Sequence, residues 1–183
     1  MVGSRMPRSS AAVAQCAGSV DEDVVRAIAG TVLIGVVSGM RSQLGVAAIA
    51  LTTDPATRTR PGSLLADPRA TAVSVTAAAG ELVGDKLPRT PSRLGATGLF
   101  SRLTLGAFAG VALAARAGSP GRPAIPVPAA AAVGACAAFA GAHAGARWRQ
   151  RVSDRGFPDW PAALAEDATA AGVAWAACRL LPG

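Results

Sequence analysis

Apolar residues along this chain gather into five long stretches, each closed by proline, glycine or a cluster of charge. The first, residues 24–52, follows Asp21, Glu22 and Asp23, acidic groups that suit a helix N-terminus, and closes at Asp54-Pro55. The second covers 68–87: Asp67 is placed to cap it, Pro68 takes the first helical position and Pro88 stops it. The third, 98–117, ends before Gly118 and Pro120. The fourth follows the proline-rich 120–128 and runs to Arg147-Trp148-Arg149-Gln150-Arg151. The fifth opens after Asp159-Trp160-Pro161 and reaches Leu181. A helix of about twenty residues spans roughly 30 Å, the hydrocarbon thickness of a bilayer, and stretches two to five each supply that length. The first is too long for one straight span, and Ser38-Gly39-Met40-Arg41-Ser42-Gln43 interrupts it. Two readings of it stand: a broken helix, 24–37 and 44–52, crossing once, or two short helices in a re-entrant hairpin. The expected fold is all-α, a transmembrane helical bundle of about five segments, the first broken near Gly39 to Ser42. Residues 1–20 are expected to form a disordered extension and 21–183 a single transmembrane domain.

Composition sharpens the choice of solvent. Charged residues make up 16% of the 183, against roughly 25% in ordinary soluble domains. The mean hydropathy of +0.37 owes much to alanine, which is nearly neutral towards lipid, so the distribution of charge carries more weight than the average. The net charge of +7 is almost all arginine, Lys86 being the only lysine. With no tyrosine, four phenylalanines and arginines set between apolar runs, not in a stripe with aromatics, the chain lacks a base-stacking platform, and nucleic acid is not an expected partner. The lipid bilayer is. If segment one crosses once, the connections on the N-terminal side hold eleven basic residues against six on the other, which places the N-terminus in the cytoplasm of a protein of the cell membrane. Trp148 and Trp160 flank the last inner connection as interfacial tryptophans do. Cys16, Cys136 and Cys178 lack any paired spacing, so neither a zinc site nor a disulfide framework is expected; Cys136 and Cys178 suit small apolar core positions.

Three glycine pairs, Gly35/Gly39, Gly106/Gly110 and Gly141/Gly145, are each four residues apart and so share a helix face. In lipid such faces let helix backbones approach closely, within the bundle or between copies in a homo-oligomer. The charges inside or beside the apolar stretches are few: Arg41, Glu81, Asp85, Lys86, Glu166 and Asp167. Thr71, Ser74, Ala78, Glu81 and Asp85 form a small and polar stripe expected to face the interior, because a carboxylate aimed at lipid costs several kcal/mol. Two roles stand for the cluster: an ion or polar-solute pathway, or a salt-bridge network that locks the segments together. Lys86, Arg89 and Arg93 could clamp a phosphate or lipid headgroup, or form an ordinary positive connection. His143 lies on an alanine- and glycine-rich helix, suited to packing or hydrogen bonding.

Gly39-Met40-Arg41-Ser42, then Gly80-Glu81-Leu82-Val83-Gly84-Asp85-Lys86-Leu87-Pro88 with Pro91-Ser92-Arg93, then Leu164-Ala165-Glu166-Asp167-Ala168 resemble the bacterial membrane-protein family labelled domain of unknown function 4126. The resemblance covers roughly residues 24–181 and implies a multi-pass membrane protein with no assigned activity. The expected function is a transporter or channel for an ion or small polar solute, with a non-enzymatic scaffold as the alternative. An enzyme acting on a lipid phosphate, with carboxylates holding magnesium, is the least supported reading, because no nucleophile motif or phosphate-binding loop accompanies it. No cofactor or resident metal is expected.

Overall fold

A computed structural model describes residues 9–57, 60–84, 95–119 and 122–181. Helix α1 is Ser9–Met40 and α2 is Leu44–Thr52. After the single turn α3, Gly62–Leu65, come α4, Pro68–Gly84, and α5, Ala96–Ala114. A two-residue antiparallel ladder, β1 Gly118–Ser119 with β2 Arg122–Pro123, leads into α6, Val127–Asp154, and α7, Asp159–Leu180, closes the bundle. The architecture is all-α.

Local chemistry explains most of these boundaries. Asp67 Oδ1 accepts the Arg69 N–H at 2.7 Å, so it caps α4 with Pro68 at the first helical position, as the sequence predicts. Helix α6 stops in a Schellman turn: Gly156, at φ 74°, donates its N–H to the Ser153 carbonyl, and the Phe157 N–H returns to Val152. Helix α1 is already formed at Ser9, well before Val24. No proline interrupts residues 9–20, and alanine there favours continuation over a cap at the acidic triplet.

The break in segment one falls at Arg41 to Gln43, where expected, but the chain then reverses instead of continuing across. Gly45 of α2 lies against Ser38 and Ile34 of α1, and Gly30 of α1 lies against Leu181 at the end of α7. Arg116, just past α5, hydrogen-bonds both Leu181 and the last turn of α2. Thr52 is therefore level with Gly30, and α1–α2 is an antiparallel hairpin. This replaces the single crossing from which the N-terminal side was deduced: the start of α1 sits at the same end as the close of α7. The close of α4, the start of α5 and the α6-to-α7 connection lie at the other end.

Small residues fill the interior. Ala27, Ala109, Ala130, Ala138, Ala174 and Ala177 are buried, with Ile34, Ile49 and Leu113 among the few large apolar side chains. At the α1–α5–α6 contact, Gly35 faces the Gly134 carbonyl, Gly39 that of Ala138, and Gly141 that of Val36. The outer surface is the opposite. Val25, Ile28 and Val32 form an exposed stripe on α1, while Val73, Phe100, Phe139 and Trp175 are exposed on four other helices. Among the described residues, three helical stretches are long and apolar enough to cross a membrane: Glu22–Met40, Ala96–Ala114 and Val127–Asp154. Helices α4 and α7 are not among these three: only Pro68–Gly84 of the second stretch is described, and α7 carries Glu166, Asp167 and Arg179 among alanines.

Candidate functional site

A helical hairpin creates an electrostatic difficulty at its tip. The last carbonyls of α1 and the first N–H groups of α2 lack intrahelical partners, and the two helix ends carry opposite partial charge. Both are answered by side chains from elsewhere in the chain. Glu81 of α4 brings its carboxylate to the start of α2: Oε1 accepts the Ser42 N–H at 2.8 Å and the Ser42 hydroxyl at 2.9 Å, and Oε2 accepts the Gln43 N–H at 2.8 Å. The small and polar stripe explains its aim. Ala78 is buried while Thr71, Ser74 and Glu81 are half-buried, and Val73, Val75 and Val83 point outward. Arg102 of α5 serves the end of α1, donating Nε to the Gly39 carbonyl at 3.0 Å and Nη1 to Gly98 at 3.1 Å. Its Nη2 stands 3.6 Å from Glu81 Oε1, so the two capping groups meet.

A second group of charges holds the tip from the α6 and α7 side. Arg41 is the largest fully buried side chain among the described residues, 1% exposed. Its guanidinium pairs with Asp167 Oδ1 and lies 4.0 Å from Glu166 Oε2. Glu166, 2% exposed, accepts Arg149 Nε at 2.9 Å. Gly145 leaves room for that carboxylate: a methyl on it would stand 3.3 Å from Glu166 Oε1. Arg41, Arg102 and Arg149 thus face Glu81, Glu166 and Asp167, three charges of each sign around one turn. Removing a single partner from such a buried pair typically costs about 3–5 kcal/mol, because the other charge is left without compensation.

Of the residues singled out from sequence, Arg41, Glu81, Glu166 and Asp167 come together at this turn. Asp85, Lys86, Arg89 and Arg93 lie outside the described residues. Gly35, Gly39, Gly106, Gly110 and Gly141 line close helix contacts, whereas Gly145 faces a carboxylate. From sequence, Arg102 and Arg149 count only among the eleven basic residues of the connections on the N-terminal side. The signal for Arg102 was its place one turn inside an apolar stretch. Gly134 was missed too, although Gly134, Ala138, Gly141 and Gly145 form a continuous small-residue stripe. His143 stacks on Phe139 with ring centroids 4.1 Å apart, its Nδ1 2.9 Å from the Phe139 carbonyl. Cys178 is buried, but Cys136, expected inside, is exposed. The described residues contain no group of three or more His, Cys, Asp or Glu placed to hold a metal ion.

At the opposite end Arg116 clasps the return of the hairpin. Nη2 donates to the Ile49 carbonyl and the Thr53 hydroxyl, both at 2.7 Å, and Nη1 to Thr52 Oγ1 at 3.1 Å and the Leu181 carbonyl at 3.3 Å. Burial lowers the pKa of this guanidinium, with Cys178 acting in the opposite sense.

Compared with known proteins, residues 28–180 match the model of the family described as domain of unknown function DUF4126. No curated protein and no solved structure matches the chain.

Proposed function

The chain belongs to the DUF4126 family, whose description assigns no activity, and on that premise we propose from its own geometry that it is a multi-pass protein of the cell membrane that passes an ion or small polar solute at the α1–α2 turn. One observation carries this reading: a nine-residue half-helix, α2, whose N-terminus ends on the Glu81 carboxylate inside a ring of buried charge. Interrupted helices are tolerated at membrane depth where they border a cavity or are buried in protein, and their ends are the usual ion-coordinating elements of transporters. Ionisable groups kept among apolar helices mark ion and proton routes by default. The apolar exterior around a charged interior supports the bilayer as solvent.

The test is flux into proteoliposomes, read by a trapped pH dye and a potential-sensitive dye. Glu81→Gln keeps the shape and removes the charge; flux is expected to fall about tenfold, the scale of one lost charge-assisted hydrogen bond. Equal flux in both proteins overturns the reading. A scaffold role has its own support, since each ring charge meets an opposite charge or a helix end. It predicts a lower melting temperature in detergent for Glu81→Gln and no flux to lose.

A further inference from the structure

Beyond the turn, the structure holds a second feature that no role above absorbs. The Schellman stop at Gly156 folds Phe157 and Pro158 back over the last turns of α6, and Pro161 begins α7 alongside. Between them lies a groove of about 350 Å³ whose walls are Trp148, Val152, Phe157 and the two prolines, with Ala162 and Ala165 lining it from α7. That volume falls in the range of about 300–1,000 Å³ usual for small-molecule clefts. The walls are apolar, yet Trp148 and Phe157 are 47% and 64% exposed.

Charge says what covers it. Arg147, Arg151 and Arg155 recur every four residues, so they stand on one face of α6, beside the apolar stripe of Trp148 and Val152. All three are exposed, and Arg155 lines the groove itself. Between residues 147 and 155 there are four arginines and one acid, Asp154. Helix α7 starts against this groove, with Pro158 as its cap residue. Depth agrees: about twenty residues of α6 from Val127 exhaust a bilayer's hydrocarbon core near Trp148, where arginines begin.

We infer that this groove is a binding site for an anionic phospholipid, with an acyl chain against Trp148, Val152 and Phe157 and the phosphate on Arg151 and Arg155. The site rests on the membrane reading above but not on transport. Replacing Trp160 and Trp175 by Phe leaves Trp148 as the only indole of the three. That protein is reconstituted in phosphatidylcholine vesicles carrying equal amounts of brominated phosphatidylglycerol or brominated phosphatidylcholine, whose bromines quench indole on contact. The phosphatidylglycerol is expected to quench with about fivefold preference, the scale of a single arginine–lipid attraction. Arg151→Gln with Arg155→Gln abolishes that preference, and Ala165→Phe, which fills the groove at an exposed position, lowers quenching while leaving the arginines.

Equal quenching by the two lipids overturns the site, as does a preference that survives the arginine substitutions. Full quenching in Ala165→Phe overturns the groove and leaves only surface attraction. Recovery of the protein in the aqueous fraction, with neither lipid quenching, overturns the membrane reading itself.

Discussion

A methyl group has no place at Gly134, where it would meet the Gly106 carbonyl and stand 3.3 Å from the Gly110 Cα. Gly134→Ala therefore forces α5 and α6 apart. Such overpacking costs about 1–3 kcal/mol, and a lower melting temperature by circular dichroism in detergent is the expected result. Gly80 on α4 is the converse, with nothing within 4 Å of an added Cβ. Gly80→Ala is expected to raise the melting temperature, since glycine inside a helix forgoes up to about 1 kcal/mol relative to alanine. At this scale the sequence is partly legible. A search for glycines four apart finds Gly35/Gly39 and Gly106/Gly110, but passes over Gly134 because its neighbour one turn on is Ala138. It also groups Gly145 with packing glycines, because spacing cannot show that a carboxylate lies opposite.

Among the elements, α2 depends most on side chains outside itself. Its start rests on Glu81 and its end on Arg116, and a nine-residue helix is too short to be stable by its own hydrogen bonds. Arg116→Met removes the clasp and leaves the Ile49 and Leu181 carbonyls without that donor. The expected cost is about 2 kcal/mol, the scale of a lost hydrogen bond to a charged group. It is read as faster hydrogen exchange across residues 48–53 with α6 unchanged; unchanged exchange in α2 would mean that the clasp is incidental. The interruption of segment one was legible, because Arg41, Ser42 and Gln43 break an apolar run. The direction taken after it was not. A kink and a reversal have the same local pattern, and the arginines that fix the reversal, Arg102 and Arg116, come from a helix some sixty residues later. The Asp67-Pro68 start was legible because its hydrogen bonds are local.

Taken whole, the molecule buries Arg41, Arg102 and Glu166 and exposes Val25, Val73, Phe100 and Trp175, an arrangement suited to lipid and unfavourable in water. The hairpin then fixes which ends share a side. With the native cysteines replaced, a membrane-impermeant maleimide is expected to label Glu22→Cys and Arg179→Cys from one side of sealed vesicles and Ser153→Cys from the other. Labelling of Glu22→Cys together with Ser153→Cys would restore the single crossing. Sidedness of this kind was beyond the sequence, because a count of basic residues depends on how often the chain crosses before each is reached. The reversal at Arg41 also bears on how such a chain can be multiplied. Because α2 turns back, the near end of α1 and the close of α7 share a side, so two α1–α7 units joined in series need no extra spanning segment between them and would insert in the same orientation. A gene duplication here would yield parallel twins, not an inverted pair.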